Sequence, residues 1–427
     1  MRAASLAPLR FTARSCRRLV PFAVTAFCLA IGLAAAAPDD PIALGTKALE
    51  ANDFPAAVTE FEKAVAADPR NYAAQFHLGL AHSLAGNAAA AETAYRATLE
   101  LKPDLYEAQL NLGVVLLGAK RPAEAAALLK AAAGKKPKEF RPVYYYAEAL
   151  SDSGDASAEV QYRAALEIDP KSVPARAGLG RLLARIGKRA EAEAELRLAG
   201  DRDGLLELAG RYEEAKEPEP AIAIYQSVAA TPGASTPAIH ERLGGLLLES
   251  GKPAEAIPHL EEAVKASATS ANRYALAIAY LRDKQLEKAM PAMESAIQAD
   301  PANADLRLAY AGLLRDQRNF TAAAQHYWKA SQLAPDSKQA WTGLATMLLS
   351  LENYPQAVAA FDKLESLGDP SPGIYFLRAL ALDKTQQYKP ALGNYEKFLA
   401  LSQDKNPDEE FKARQRIKVI RKELSKR

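Results

Sequence analysis

Apolar residues along the chain recur with a helical period, in short runs that polar turns separate. In the stretch Leu110–Pro137, Leu112, Val115 and Leu116 lie at i, i+3 and i+4, and therefore on one face of a helix. A polar turn interrupts the run before Pro122, which suits the first turn of a helix, and a second apolar stripe follows up to the closing proline. The pattern predicts two helices joined by a short turn.

This helix–turn–helix pattern is copied along the chain in steps of about 34 residues. Alanines mark eleven copies: Ala57, Ala91, Ala125, Ala158, Ala192, Ala221, Ala256, Ala289, Ala323, Ala357 and Ala391. Four residues after each alanine stands a large residue: Phe61, Tyr95, Leu129, Tyr162, Leu196, Tyr225, Leu260, Met293, Tyr327, Phe361 and Tyr395. Eleven or twelve residues before each alanine stands Gly or Ala: Gly45, Gly79, Gly113, Ala147, Gly180, Ala209, Gly244, Ala277, Ala311, Ala345 and Ala379. Three coupled positions that recur in every copy predict a stack of similar units.

The small residues predict where the two helices of one unit cross. Glycine inside a helix is about 1 kcal/mol less favourable than alanine, so Gly113 is expected to have a packing reason. We expect Gly113 and Ala125 to be the points of closest approach, with Leu112, Leu116 and Leu129 filling the space beside them. One helix pair cannot bury its apolar faces alone, so neighbouring units must supply the rest of the core.

The pattern resembles that of the tetratricopeptide-repeat family, whose helix pairs carry Leu-Gly or Leu-Ala in the first helix and Ala with an aromatic residue in the second. The copy in Ala340–Pro370 carries nearly all of it, with Trp341, Leu344, Ala345, Leu348, Ala357 and Phe361. The resemblance covers Pro38 to about Leu401, and Arg378 departs from it where leucine is usual. It implies an all-α fold, a right-handed superhelical solenoid of about eleven helix pairs with a C-terminal capping helix.

A break in the spacing predicts a joint between two groups of repeats. The step falls to 29 residues around Leu198–Leu208, where a closing proline is missing and Gly200 and Gly204 favour a flexible chain. We therefore predict that repeats 1–5, residues 37–201, are separated by a weak joint from repeats 6–11, residues 202–401.

The segment 402–427 lies outside the repeats. It begins with acidic and ends with basic residues, which matches the dipole of a helix, and its apolar stripe is Ala413, Ile417, Ile420 and Leu424. We interpret it as a capping helix, because a terminal repeat needs a polar outer face. A basic amphipathic contact with a membrane or a nucleic acid is the alternative.

Residues 1–36 have the composition of a secretory signal peptide. A basic start with five arginines and no acid precedes an apolar run, and an Ala-x-Ala site favours cleavage after Ala36. We therefore expect an exported protein, periplasmic or secreted. The run from Leu19 to Ala37 is close to the roughly 20 residues that span a membrane, so an uncleaved anchor in the inner membrane is the alternative.

Removal of this segment changes the reading of charge and cysteine content. The mature chain keeps 49 basic and 52 acidic residues, a net formal charge of −3, so the overall balance gives no indication of nucleic-acid binding. Both cysteines, Cys16 and Cys28, leave with the segment. A cysteine-free chain is compatible with an oxidising compartment.

No motif in the sequence predicts catalysis, a cofactor or a metal site. The histidines His77, His82, His240, His259 and His326 form no HExxH or other short ligand spacing. His82 stands where other copies have Tyr or Leu, which favours packing. The repeats and flanking segments leave no stretch for a catalytic domain, so we predict that the protein is not an enzyme and binds no cofactor.

The family resemblance implies that the first helices line a concave groove, at positions three before and one after the small residue. The residues we expect there are Phe76, Leu80, Leu110, Val114, Tyr144, Glu148, Tyr274, Ile278, Phe376 and Leu380. Arg141 lies one turn before Tyr145, beside this row of tyrosines, and we count it among the candidate groove residues. They would form two apolar, aromatic patches for partner segments. The alternative at each position is packing against an adjacent helix.

We therefore predict an exported scaffold that binds proteins or peptides in the cell envelope through this groove. An assembly factor for polysaccharide or pilus secretion is a second hypothesis, and an enzyme or enzyme subunit is the least favoured. The sequence indicates neither the partner nor the oligomeric state.

Overall fold

The computed structural model describes residues 40–368, 371–403 and 405–425. The predicted signal segment, residues 1–36, lies outside them. The described residues form 23 α-helices and no strand, so the prediction of an all-α fold is confirmed. Among these helices, none is both long and apolar enough to cross a membrane.

The described residues divide between Val228 and Ala229 into two compact units, which we call the first and the second unit. The helices up to the boundary are α1 Pro41–Glu50, α2 Phe54–Ala67, α3 Tyr72–Leu84, α4 Ala88–Leu101, α5 Tyr106–Gly118, α6 Pro122–Lys135, α7 Phe140–Asp152, α8 Ala158–Ile168, α9 Val173–Arg185, α10 Arg189–Ala199, α11 Arg202–Glu214 and α12 Pro218–Ala229. The helices of the second unit are α13 Pro237–Glu249, α14 Pro253–Ala266, α15 Ser270–Arg282, α16 Leu286–Ala299, α17 Ala304–Asp316, α18 Phe320–Leu333, α19 Lys338–Ser350, α20 Tyr354–Ser366, α21 Pro372–Lys384, α22 Tyr388–Ser402 and α23 Pro407–Leu424. Helices α1 to α22 are the eleven predicted pairs.

Local hydrogen bonds fix the ends of the helices. At the start of α3, the Asn71 side chain accepts from the backbone N–H groups of Ala73 and Ala74, as a good N-cap does. Each pair then closes through one left-handed residue with φ between +58° and +86°: Asn52, Gly86, Lys120, Gly154, Gly187, Lys216, Gly251, Lys284, Arg318, Glu352 and Gln386. The next residue donates back to the first helix, as Arg121 N–H does to the carbonyl of Leu116 at 2.9 Å. The turn keeps its shape even where glycine is absent.

The core of each pair is a large residue of the second helix pressed against a small residue of the first. A Cβ atom added to Gly113 would lie 2.5 Å from Cγ of Leu129, and the same conflict would arise at Gly45, Gly79, Gly180 and Gly244. The eleven marker alanines and their eleven large partners are all buried. The predicted close approach at Gly113 is confirmed, and Ala125 is fully buried.

Two glycines on α5 allow the effect of packing on stability to be measured separately from the effect of helix propensity. We expect Gly113→Ala to lower the free energy of unfolding by about 1–3 kcal/mol, because the new methyl group overpacks against Leu129. Gly118→Ala should be neutral or stabilising by up to about 1 kcal/mol, because no atom lies within 4 Å of its added Cβ. Chemical denaturation of both variants measures the difference, and equal effects would contradict the packing role.

The segment Leu198–Leu208 is well defined within the first unit. Gly200 ends α10 in the left-handed conformation, and the Asp201 side chain accepts from Gly204 N–H at 3.1 Å to start α11. Arg181 of α9 donates twice to Asp201, at 2.7 and 2.9 Å. The unit boundary at Val228–Ala229 does not coincide with the predicted boundary at residue 201, and the weakness of the joint stays a prediction.

Helix α23 covers the last repeat with the predicted apolar stripe. Ala413, Ile417 and Ile420 are buried against a cluster that includes Tyr395 and Phe398 of α22, and Leu424 packs there while partly buried. Ion pairs also join α23 to the last repeat: Arg416 donates to both oxygens of Asp383 on α21, and Arg421 donates to Glu396 on α22. The helix thus buries one face and leaves a charged face outward.

Two neighbouring residues test how far the last repeat depends on α23. Ile420 is 0% exposed and Val419 is 46% exposed, so an aspartate buries its charge only at residue 420. We expect Ile420→Asp to speed hydrogen exchange in α22 near Tyr395, while the first repeats keep their protection because coupling runs mainly between neighbours. Val419→Asp is the control, and unchanged exchange in both variants would contradict a capping role.

Candidate partner-binding site

The predicted groove residues all lie on first helices of their pairs. In the first unit they fall on α3, α5 and α7, and in the second unit on α15 and α21. We call the surface formed by the first helices of one unit its first-helix face.

Two of the residues are core residues. Phe76 is 6% exposed and Leu110 is 4% exposed, and both belong to one buried cluster with Tyr95 and Ala149. The expectation that these two side chains line an open groove is therefore wrong. The Phe76 ring meets that of Tyr95 on α4 at 5.9 Å, so packing is the role of position three before the small residue in these two repeats. Leu80 is partly buried and packs on the first repeat.

The other predicted residues of the first unit, Val114, Arg141, Tyr144 and Glu148, form with Tyr145 a surface that we call the Tyr144 patch. Except for the exposed Arg141, each is partly buried. Tyr144 stacks on Phe140 with ring centroids 5.3 Å apart and planes 8° apart, and it meets Tyr145 at 5.2 Å. Val114 and Tyr145 pack against the same core cluster. The rings of Phe140, Tyr144 and Tyr145 therefore form a row along α7, and the packing of Tyr145 on the core cluster holds one end of it.

Glu148 is the chemical centre of the patch. The Tyr162 hydroxyl donates to its carboxylate at 2.5 Å, and Tyr144 also donates to it. Burial raises the pKa of Glu148, and Asp152 raises it further, while the hydroxyl donors and Arg181 oppose the shift. Burial and the Glu148 charge raise the pKa of both tyrosines, so the two hydroxyls remain donors at neutral pH. Glu148 lies at the groove position directly after Ala147, and the two tyrosines that donate to it come from α7 and α8.

Arg141 carries an available positive charge. Among the described residues, no hydrogen bond or ion pair to its guanidinium is present. It lies one turn before Tyr145, and its charge lowers the pKa of Tyr145 against the larger effect of burial. The same charge acts on Tyr95 and Tyr106. The patch therefore combines one unpaired cation with a row of aromatic rings.

The raised pKa of Glu148 predicts a pH-dependent stability. A carboxyl group whose pKa is higher in the folded than in the unfolded state binds its proton more tightly when folded. The stability that the folded state gains from holding this proton is complete below pH about 4.5, the ordinary pKa of a glutamate. It is lost as the pH rises through the higher pKa of Glu148 in the folded state. We expect Glu148→Gln to gain stability relative to the natural protein as pH increases from about 4.5 to 7.5. Urea denaturation at each pH measures the free energy of unfolding, and Glu167→Gln, at an exposed position on α8, is the control. If the free energies of Glu148→Gln and the natural protein change in parallel with pH, the raised pKa of Glu148 is contradicted.

In the second unit the predicted residues are half-buried and have no comparable cation. Tyr274 and Ile278 pack partly against the core of their repeats. The ring of Phe376 lies 5.1 Å from that of Phe398 and 6.0 Å from that of Tyr395. Leu380 is partly buried, and Arg378 nearby is paired with Asp362 and Glu365. These residues belong more to the repeat core than to an open surface.

Other polar clusters lie away from the predicted site residues. A cavity of about 380 Å³ between α16, α17 and α18 is lined by Glu294, Tyr310 and His326, among others. Tyr310 donates to Glu294, and His326 meets the Tyr310 ring edge-on at 4.8 Å. Within residues 40–368, 371–403 and 405–425, no three His, Cys, Asp or Glu side chains form a group that could hold a metal ion.

Comparison with known proteins identifies the repeat family. The family model described as tetratricopeptide repeat matches residues 42–105, 85–140, 241–304, 274–337 and 308–373, which together are more than half of the chain. No curated protein matches the sequence.

Several solved structures are similar to part of the chain. The C-terminal part of a TPR repeat-containing protein from Cytophaga hutchinsonii is 19% identical, with a TM-score of 0.44, covering 51% of this chain and 88% of that one. MamA MSR-1 is 20% identical with a TM-score of 0.36, covering 38% and 93%. Another MamA crystal structure is 22% identical with a TM-score of 0.35, covering 40% and 97%.

Proposed function

Because the chain belongs to the tetratricopeptide-repeat family, we propose that it is an exported scaffold whose Tyr144 patch binds an extended segment of a partner protein in the cell envelope. Repeats of this family are protein-interaction modules. Of the two first-helix faces, that of the first unit carries the site, because Arg141 is exposed and charged, whereas the other predicted groove residues are at least partly buried.

The observation that carries the proposal is the unpaired Arg141 beside the aromatic row. Arginine and tyrosine are enriched among the residues that dominate binding energy, because both combine a large apolar surface with directed hydrogen bonds. The Tyr144 and Tyr145 rings are held by packing, so little side-chain entropy is lost when a partner binds. A segment with an acidic side chain and a neighbouring apolar one would match the guanidinium and the rings.

Export is supported by the amino-terminal sequence. The basic start, apolar run and Ala-x-Ala site of residues 1–36 are the features of a secretory signal. Amino-terminal sequencing of the protein isolated from its host tests this, with Ala37 as the expected first residue. An intact segment 19–37 in a membrane fraction would favour the anchor instead.

A charge reversal tests the binding site. Arg141→Glu should lower the affinity for the partner roughly tenfold or more, because an interface arginine commonly contributes 2 kcal/mol or more. Arg141 is exposed, so the fold should be retained. Lys138→Glu, on the exposed turn before α7, makes the same change in net charge and should leave binding unaffected.

The measurement is quantitative capture from an envelope extract with the natural protein and both variants as bait. Proteins enriched by the natural chain and by Lys138→Glu, but depleted with Arg141→Glu, are the partners at this patch. Equal enrichment by all three baits would contradict the proposed site while leaving the scaffold function open.

A further inference from the structure

Two histidines outside the Tyr144 patch come together in the second unit. His240 lies in the first turn of α13 and His259 lies in α14, nineteen residues later, and the two Nδ1 atoms are 3.0 Å apart. Both side chains are partly exposed, so ions in solution can reach them. Within one repeat, the crossing of its two helices therefore brings two imidazole nitrogens face to face.

The neighbouring Ser235 prepares one of these nitrogens as a ligand. Its Oγ lies 2.7 Å from Nε2 of His240. When Nε2–H donates to this oxygen, the proton is on Nε2 and Nδ1 of His240 carries a free lone pair. A hydrogen bond at the far nitrogen is the usual way in which proteins fix the tautomer and orientation of a metal-binding histidine.

The two rings can bind one divalent transition-metal ion if both of them rotate. In the metal-free chain the 3.0 Å separation is that of a hydrogen bond between the two Nδ1 atoms. An ion bonded to both nitrogens at about 2.0–2.1 Å lies off the line that joins them, so each ring must turn about its side-chain bonds to direct its lone pair at the ion. Imidazole nitrogen suits Cu²⁺ and Ni²⁺, and Cu²⁺ stands highest in the general order of affinities among divalent ions.

We propose that His240 and His259 form a two-histidine site for Ni²⁺ or Cu²⁺, with Ser235 orienting His240 and water molecules completing the coordination. Among the described residues, no third side chain makes a protein-only cage, so binding is reversible and leaves open positions on the ion. The ion replaces the proton between the two rings, and the ring that donated through Nδ1 carries its proton on Nε2 instead.

A negative charge beside the pair favours a bound cation. Glu255 lies one turn before His259 on α14, and its carboxylate interacts electrostatically with that imidazole. A carboxylate near the two rings attracts a divalent ion from solution.

Isothermal titration of the purified protein, without a polyhistidine tag, tests the proposal. With NiCl₂ at pH 7.5 we expect one ion per chain. Mutation of a residue that only supports a ligand lowers metal affinity roughly 10–100-fold. Loss of a ligand itself should lower the affinity at least as much, so His240→Gln and His259→Gln should each bind Ni²⁺ at least about tenfold more weakly. Ser235→Ala keeps both ligands and should bind more weakly by a smaller factor.

His326→Gln is the matched control, because His326 is also partly exposed and has an aromatic neighbour but no second histidine in contact. It should bind as the natural protein does. Electron paramagnetic resonance of the natural protein with one equivalent of Cu²⁺ adds a readout that needs no variant, and coupling to two nitrogens is expected.

Two outcomes would overturn the proposal. If the natural protein binds no stoichiometric Ni²⁺ or Cu²⁺, the histidines are a hydrogen-bonded pair only. If His240→Gln and His259→Gln bind as tightly as the natural protein, the ion lies elsewhere.

Discussion

The contact between a small residue on one helix and a large residue on the next underlies the whole structure. At Gly113 and Leu129 there is no space for a further methyl group, so the distance between α5 and α6 is set by this pair. The same contact recurs at Gly45 with Phe61 and in the other repeats. Because each crossing is fixed in this way, each helix pair presents a constant surface on which the next can pack.

Polar contacts that also recur then hold neighbouring repeats in register. Arg185 of α9 donates to the backbone carbonyl of Ser151 on α7, and Arg282 of α15 donates to that of Leu248 on α13, in each case 34 residues earlier. Both arginines occupy the same position in their repeats. Each carbonyl also accepts from a backbone N–H of the following turn, that of Gly154 or Gly251, so the arginine is its second donor. These bonds link successive first helices, the elements that carry the Tyr144 patch.

The two proposed sites illustrate different uses of one scaffold. In the Tyr144 patch, the carboxylate of Glu148 accepts hydrogen bonds from tyrosine hydroxyls, and these bonds orient the rings. Arg141 is exposed and supplies the positive charge of the patch. In the second unit, the crossing of α13 and α14 brings His240 to His259, and no other repeat has a histidine at both of these positions. Both sites are built on helices rather than loops, and therefore their geometry follows from the core contact.

Most of the fold was predictable from the sequence, because the repeat period and the small–large coupling are local signals that each copy repeats. The eleven pairs, the buried alanines and the apolar stripe of residues 413–424 follow from them. The left-handed residue in each turn was not predictable where Lys120 or Arg318 occupies it, because the closing hydrogen bonds of the turn outweigh the residue's own backbone preference. Side-chain exposure was predicted less well than position within the repeat.

The sequence by itself determined which residues lie on the first helices, since helical periodicity fixes the face of each residue. Only the tertiary structure decided which of them remain open to a partner. Phe76 and Leu110 are buried in one cluster with residues of neighbouring helices, whereas Arg141 is exposed, although all three belong to first helices. The pairing of His240 with His259 was equally invisible, because nineteen residues separate them in sequence and the 3.0 Å contact exists only where α13 and α14 cross. Exposure and proximity are properties of the packed neighbours, and a single sequence pattern carries no information about the atoms that neighbours contribute.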